Sequence, residues 1–276
     1  MNAPSPGRAA GALGAGLLMG ATALAALYNT GETPVTWASV ITSLAIGVPA
    51  LVAFYRPTAG APGDPPYQPL SRWFAIGVAC CSLPVYVLLA LMQVAIGMHM
   101  RVHGSGTPGA LVAGSGPAFV GIWIAIALLP ALAEELIFRG MVQQAAVARL
   151  GVRWGILVAA AVFSFIHAET VGFVPRLLMG AWFGLLFWRS GSLWASTLAH
   201  ALNNSWGLVV ANLGTGVETH LGWVAAGSIV MLGLGLAAFH RGGYWPGQAP
   251  PPASPDVEPL LPRVITMQRP PEDQPL

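Results

Sequence analysis

Polar and ionisable side chains that lie within apolar stretches of this sequence fall mainly in three short segments. They are Glu134, Glu135 and Arg139, then His167, and finally His200 together with Asn204. Ionisable groups within apolar helices are expensive and mark functional sites. Two histidines, two carboxylates and an asparagine in so charge-poor a sequence predict one shared polar site.

Helical spacing assigns different roles to the two carboxylates. Glu135 and Arg139 are four residues apart, so they share a helix face and can form an ion pair. Structural neutralisation alone would also explain this pair. Glu134 lies about 100° around the helix from Glu135 and is the less neutralised carboxylate. It is therefore the better candidate for a general acid or base.

The same spacing relates the other polar residues to their neighbours. His167 follows Phe163 by four residues, and Asn204 follows His200 by four, so each pair shares one helix face. A packing role would suit either histidine if it stood alone. Their concentration with the carboxylates favours a common site.

The heights of these residues in a helical bundle can be compared. Glu134 lies 16 residues before Leu150, and His167 lies 16 residues after Gly151. If the chain turns between Leu150 and Gly151, equal offsets place the two side chains at one level of an antiparallel pair. His200 reaches that level if the first helix of the pair continues through residues 143–149.

Composition shows what kind of elements must position these groups. Hydrophobic residues make up 55% of the 276 residues and charged residues only 8%, whereas a soluble domain carries about a quarter charged residues. The chain therefore predicts an all-α, polytopic membrane bundle of about eight transmembrane helices. The candidate spans are 9–28, 36–55, 73–97, 117–142, 154–168, 174–189, 193–213 and 221–240.

The arginines predict an orientation. With alternating spans, seven arginines fall on one side of the membrane and only Arg101 and Arg176 on the other, which places both termini in the cytoplasm. The seven are Arg8, Arg56, Arg72, Arg149, Arg153, Arg189 and Arg241. The bundle is expected over residues 1–241, followed by a Pro-rich, disordered cytoplasmic tail over 242–276.

Three further features of the sequence concern its first span, its cysteines and nucleic-acid binding. The first span could instead be a cleaved signal peptide, since Arg8 precedes it. Cys80 and Cys81 are adjacent and lack zinc-site spacing, so we expect them to pack as small apolar residues. The sequence contains no basic run that would bind nucleic acid.

Together, the three motifs resemble those of the CPBP family, the intramembrane CAAX-protease and bacteriocin-processing endopeptidases also called Abi. The family patterns EExxxR, FxxxH and HxxxN are matched by Glu134-Glu135 with Arg139, by Phe163 with His167, and by His200 with Asn204. The similarity covers residues 117–213. It implies an intramembrane endopeptidase that cleaves a membrane-associated protein or peptide at the lipid bilayer. We expect the protein in the bacterial cytoplasmic membrane.

The resemblance also implies roles for single residues. Those matching Glu134 and His167 activate the attacking water, and those matching His200 and Asn204 stabilise the oxyanion, with Glu135, Arg139 and Phe163 in support. We expect no cofactor. The alternative is a zinc ion bound by Glu134, His167 and His200 with one open position.

The sequence also bears on other classes of membrane protein. Aspartyl intramembrane proteases are excluded because no Asp lies between Asp64 and Asp256, and no GxSG motif of a rhomboid-type serine protease is present. A proton-coupled transporter could use buried Glu, His and Arg as a relay. A non-catalytic scaffold or immunity protein of the same fold is the third alternative.

Overall fold

The computed structural model describes residue 7 and residues 10–16, 35–55, 69–101, 116–167, 169–213 and 221–243. The regular elements within these ranges are helices, as the sequence predicts. Most of the first predicted span, including its alternative as a signal peptide, and the tail beyond residue 243 lie outside the described residues.

The helices are numbered here from Val35. They are α1 (Val35–Tyr55), α2 (Arg72–His99), α3 (Gly116–Trp123), α4 (Leu129–Ile137), α5 (Gln144–Phe165), α6 (Phe173–Ser190), α7 (Leu193–Leu213) and α8 (Leu221–Arg241). Two π-helical segments, Ile124–Leu128 and Phe138–Gln143, join α3, α4 and α5 end to end.

A described helix covers most of each predicted span after the first, but eight transmembrane helices are not confirmed. By length and composition, three described helical stretches can cross a membrane: Arg72–His99, Gly116–Phe165 and Gly222–Arg241. Ala38–Ala50 is a shorter apolar helix. The chain is therefore an all-helical protein with three candidate membrane spans among its described residues.

The chain turns back on itself within α5, at Gly151. This glycine has φ 76° and ψ 171°, a backbone conformation that glycine adopts without steric cost. Beyond the turn, an added Cβ at Gly155 would lie 2.5 Å from the backbone nitrogen of Val147. The two arms therefore run antiparallel in close contact, and the rings of Phe138 and Phe163 meet with centroids 5.1 Å apart.

A second close helix pair carries buried polar groups. Arg139 Nη2 donates to the carbonyl oxygen of Gly180 at 2.8 Å, and Gln143 Nε2 donates to that of Gly184 at 2.9 Å. An added Cβ at Gly180 would lie 3.2 Å from Cα of Ala160. Small residues thus let α6 approach both arms of the hairpin, as in other tightly packed membrane helices.

We predict that Gly155→Ala disrupts the hairpin. Its Cβ would meet the backbone of Val147 at 2.5 Å, and forcing extra volume into a packed site costs about 1 to 3 kcal/mol. The thermal unfolding midpoint of the detergent-solubilised protein should fall. Gly227→Ala is the matched control, because no atom lies within 4 Å of its added Cβ. Equal midpoints for the two variants would contradict this account of the hairpin.

Candidate active site

The carboxylate of Glu135 lies at the centre of the buried polar network. Its Oε1 atom accepts a hydrogen bond from Arg139 Nη1 at 2.7 Å and lies 2.8 Å from His200 Nδ1. The side chains of Glu135 and Arg139 are 0% and 1% exposed. The ion pair expected from the four-residue spacing is therefore present, and it also contacts His200, which the sequence did not indicate.

Aromatic rings surround the guanidinium group of Arg139. Its Cζ atom lies 5.0 Å from the ring centroid of Phe163 and 5.4 Å from that of Phe183. Ring faces attract a cation, and the attraction is stronger when the cation is desolvated. Together with Glu135 and the Gly180 carbonyl oxygen, these rings stabilise a charge that is withdrawn from water.

Glu134 faces both histidines. Its Oε2 atom lies 3.9 Å from His200 Nε2 and 4.0 Å from His167 Nε2. This oxygen is buried and has no hydrogen-bond partner among the described residues. The three side chains are 16%, 4% and 30% exposed, for Glu134, His200 and His167 in turn. The predicted residues from three parts of the chain therefore meet around one point.

The hydrogen bonds of the imidazole rings assign their tautomers. His167 Nδ1 lies 2.8 Å from the carbonyl oxygen of Phe163, which can only accept a hydrogen bond, so Nδ1 carries a hydrogen. His200 Nδ1 likewise donates to the carboxylate of Glu135. Both rings consequently direct Nε2 towards Glu134.

Phe163 holds the two rings in place. Its ring centroid lies 4.9 Å from that of His167 and 5.8 Å from that of His200, and both pairs meet edge to face. The ring of Phe183 stacks on the imidazole ring of His200, with centroids 4.9 Å apart and an interplanar angle of 24°. The Phe of the FxxxH pattern is thus a packing residue between the histidines.

Asn204 lies on the wall of the same cavity. Its Nδ2 atom is 3.5 Å from the carbonyl oxygen of Ile126, at the limit of a hydrogen bond. Ile126 belongs to the first π-helical segment, and Pro130 four residues later has no N–H to donate to that carbonyl in an α-helix. Asn204 therefore approaches the irregular backbone that precedes Glu134.

These groups line a cavity of about 610 Å³. Glu134, His167, His200, Asn203 and Asn204 contribute its polar wall. Within the described part of the chain, no group of three or more His, Cys, Asp and Glu side chains is arranged to hold a metal ion.

Sequence reasoning missed two residues that support the site. Gln143 follows Arg139 by four residues, so helical periodicity could have identified it as the next buried donor on that face. Phe183 carries no local signal, because its contacts with Arg139 and His200 depend on how α6 packs.

We predict that Arg139→Ala destabilises the protein by about 3 to 5 kcal/mol, because it strands the buried carboxylate of Glu135. Arg153→Ala is the control: this arginine is exposed, and exposed substitutions change stability by no more than about 0.5 kcal/mol. Thermal unfolding in detergent measures both. Similar midpoints would show that the buried pair does not stabilise the bundle.

The model of the family described as type II CAAX prenyl endopeptidase Rce1-like matches residues 116–206. No curated protein and no solved structure matched the chain. The match spans α3 to most of α7 and contains all three motifs, and it does not favour a transporter or a scaffold.

This similarity, together with the apolar helices, indicates an integral membrane protein. On the segment that carries the site, residues 116–206, the chain is similar to the Rce1-like family of type II CAAX prenyl endopeptidases.

Proposed function

We propose that this protein is an intramembrane endopeptidase in which Glu134 and His167 activate the attacking water. The observation that carries the proposal is the position of Glu134 Oε2, buried and within 4.0 Å of the Nε2 atoms of both histidines. Polar atoms at such separations are commonly bridged by water.

The distances support one water shared by these groups. Two partners of one water, each about 2.8 Å from its oxygen, lie roughly 4 Å or more apart. Glu134 accepts a proton from this water, and His167 Nε2 accepts its second hydrogen bond. The water oxygen then attacks the carbonyl carbon of the peptide bond, and the proton taken by Glu134 passes to the leaving nitrogen.

His200 and Asn204 stabilise the negative charge that develops on the carbonyl oxygen. A protonated His200 donates from Nδ1 to Glu135 and from Nε2 to the oxyanion, while Asn204 donates from its amide. Fixed donors in a buried site supply a large part of the catalysis of acyl transfer. Glu135 and Arg139 act by positioning His200 and do not touch the substrate.

This mechanism requires no metal ion. Two ligands of a tetrahedral zinc, each about 2.0 to 2.1 Å from the ion, lie about 3.3 to 3.4 Å apart. The 3.9 and 4.0 Å separations around Glu134 Oε2 exceed this value. If zinc were bound, Glu134, His167 and His200 would be its ligands.

The topology, localisation and substrate that we propose follow from the sequence. We propose eight transmembrane helices, both termini in the cytoplasm of a bacterial cell, and a membrane-associated protein or peptide as substrate. The family that matches is described by its action on prenylated CAAX substrates.

Glu134→Gln should lower the rate of peptide cleavage by about 10²- to 10⁴-fold, the usual contribution of a general base. Its unfolding midpoint should stay that of the wild type, because the amide keeps the shape of the carboxylate. Glu169→Gln is the control, because Glu169 is a described glutamate that lies outside the hydrogen-bond network of Glu135. Full activity of Glu134→Gln on a tethered fluorogenic peptide would refute the proposed role.

Activity should survive a strong chelator. The purified protein would be incubated with 1,10-phenanthroline, dialysed, and assayed on the same peptide with metal content measured in parallel. Loss of cleavage that added zinc restores would establish the zinc alternative on Glu134, His167 and His200.

A further inference from the structure

One face of α7 forms a long wall of the cavity. The residues of this face that line the cavity follow helical spacing, at positions i, i+3, i+4, i+7 and i+11: His200, Asn203, Asn204, Gly207 and Ala211. Side chains at these spacings lie on one stripe of a helix, and a rise of about 1.5 Å per residue separates the first from the last by roughly 16 Å. The wall therefore extends beyond the two residues that the proposed mechanism uses, His200 and Asn204.

Asn203 is a polar side chain of this wall to which the mechanism gives no role. It is half-buried and makes no hydrogen bond to a described residue. The other asparagines of α7 lie against backbone acceptors: Asn212 donates to the carbonyl oxygen of Leu208 at 2.9 Å, and Asn204 approaches that of Ile126. An unpaired amide inside an apolar bundle costs free energy. Asn203 thus offers the cavity a hydrogen-bonding group that has no structural partner in the described part of the chain.

A second such group lies on the facing wall, which α2 contributes. Tyr86 lines the cavity and makes no hydrogen bond to a described residue. Its hydroxyl oxygen would lie 4.0 Å from a Cβ added at Gly207, one turn beyond Asn203. The hydroxyl therefore lies about 6 Å further along α7 than Asn203, which itself lies about 4.5 Å beyond His200. The two unpaired groups follow His200 in order along the cavity.

An extended peptide matches the spacing of these groups. Such a chain advances about 3.3 Å per residue, so offsets of about 4.5 and 10.5 Å from His200 correspond to roughly one and three residues. The neighbouring residues of α2 and α7 that line the cavity are apolar: Leu89, Ala90 and Leu208. Peptide groups in apolar surroundings need hydrogen-bond partners. An amide side chain and a hydroxyl can each donate and accept, so either can pair with a peptide group.

We propose that Asn203 and Tyr86 bind the main chain of the substrate. The amide of Asn203 pairs with the peptide group that adjoins the scissile bond, and the hydroxyl of Tyr86 pairs with a peptide group about two residues further along. This inference rests on the proposed protease function. Recognition through the main chain selects extended segments, because the peptide groups of a helix are already hydrogen-bonded to one another, and it tolerates different side chains.

Asn203→Ala should lower kcat/KM for the tethered fluorogenic peptide by about 5- to 150-fold, because a buried peptide group of the substrate loses its partner. Its unfolding midpoint should stay that of the wild type, since Asn203 bonds to no described residue. Asn212→Ala is the matched control: it removes an amide of the same helix that bonds to the Leu208 carbonyl oxygen and does not belong to the cavity lining. Wild-type kcat/KM in Asn203→Ala, or an equal loss in the control, would overturn the inference.

Ester-substituted peptides locate the contacts. Replacing one peptide bond by an ester removes an N–H donor and weakens the carbonyl acceptor. An ester beside the scissile bond should lower kcat/KM of the wild type and cost nothing further in Asn203→Ala, because two changes that remove the same contact are not additive. An ester about two residues further along should behave in the same way with Tyr86→Phe. Equal losses in the wild type and the variants at every position would show that neither side chain touches the main chain.

Binding measurements separate this inference from the protease proposal. The same peptides, carrying a fluorophore, would be titrated with Glu134→Gln and with the double variant of Glu134→Gln and Asn203→Ala, and fluorescence anisotropy would give the affinities. Weaker binding to the double variant, from a wild type that cleaves nothing, would reject the protease and leave the main-chain contact standing. Equal affinities together with normal cleavage by Asn203→Ala would reject the contact and leave the protease standing. Equal affinities without any cleavage would reject both.

Discussion

The polar interior depends on the carboxylate of Glu135. One of its oxygens accepts from Arg139 and from His200, and Arg139 continues to the Gly180 carbonyl oxygen on α6. Three helical elements are thereby joined through side chains that are almost wholly buried. Such groups are tolerated only when each charge has close partners, since an unpaired buried charge costs several kcal/mol.

This constraint explains why two adjacent glutamates can serve different purposes. Glu135 forms an ion pair with Arg139. Glu134 instead lines the cavity, and one of its oxygens has no hydrogen-bond partner among the described residues. By fixing the orientation of His200, the first carboxylate sets where the Nε2 atom faces the second. The structural carboxylate and the proposed catalytic carboxylate thus lie one residue apart on the same helix.

Local periodicity predicted the pairs that lie within one helix, such as Glu135 with Arg139, and the matching heights of Glu134 and His167. Both follow from the geometry of a helix and of an antiparallel hairpin. The Glu135–His200 contact spans 65 residues, and the Phe183 contacts depend on how α6 packs, so neither leaves a local pattern. The π-helical segments beside the motif also escaped prediction, because their irregular hydrogen bonding depends on tertiary packing.

The central claim is that a water molecule, and not the Glu134 carboxylate, attacks the peptide bond. A single-turnover cleavage in oxygen-18-labelled water, followed by mass spectrometry of product and enzyme, distinguishes the two routes. The account predicts heavy oxygen in the new carboxylate of the product and none in the peptide that contains Glu134. An unlabelled first product together with labelled Glu134 would show a covalent intermediate and contradict it.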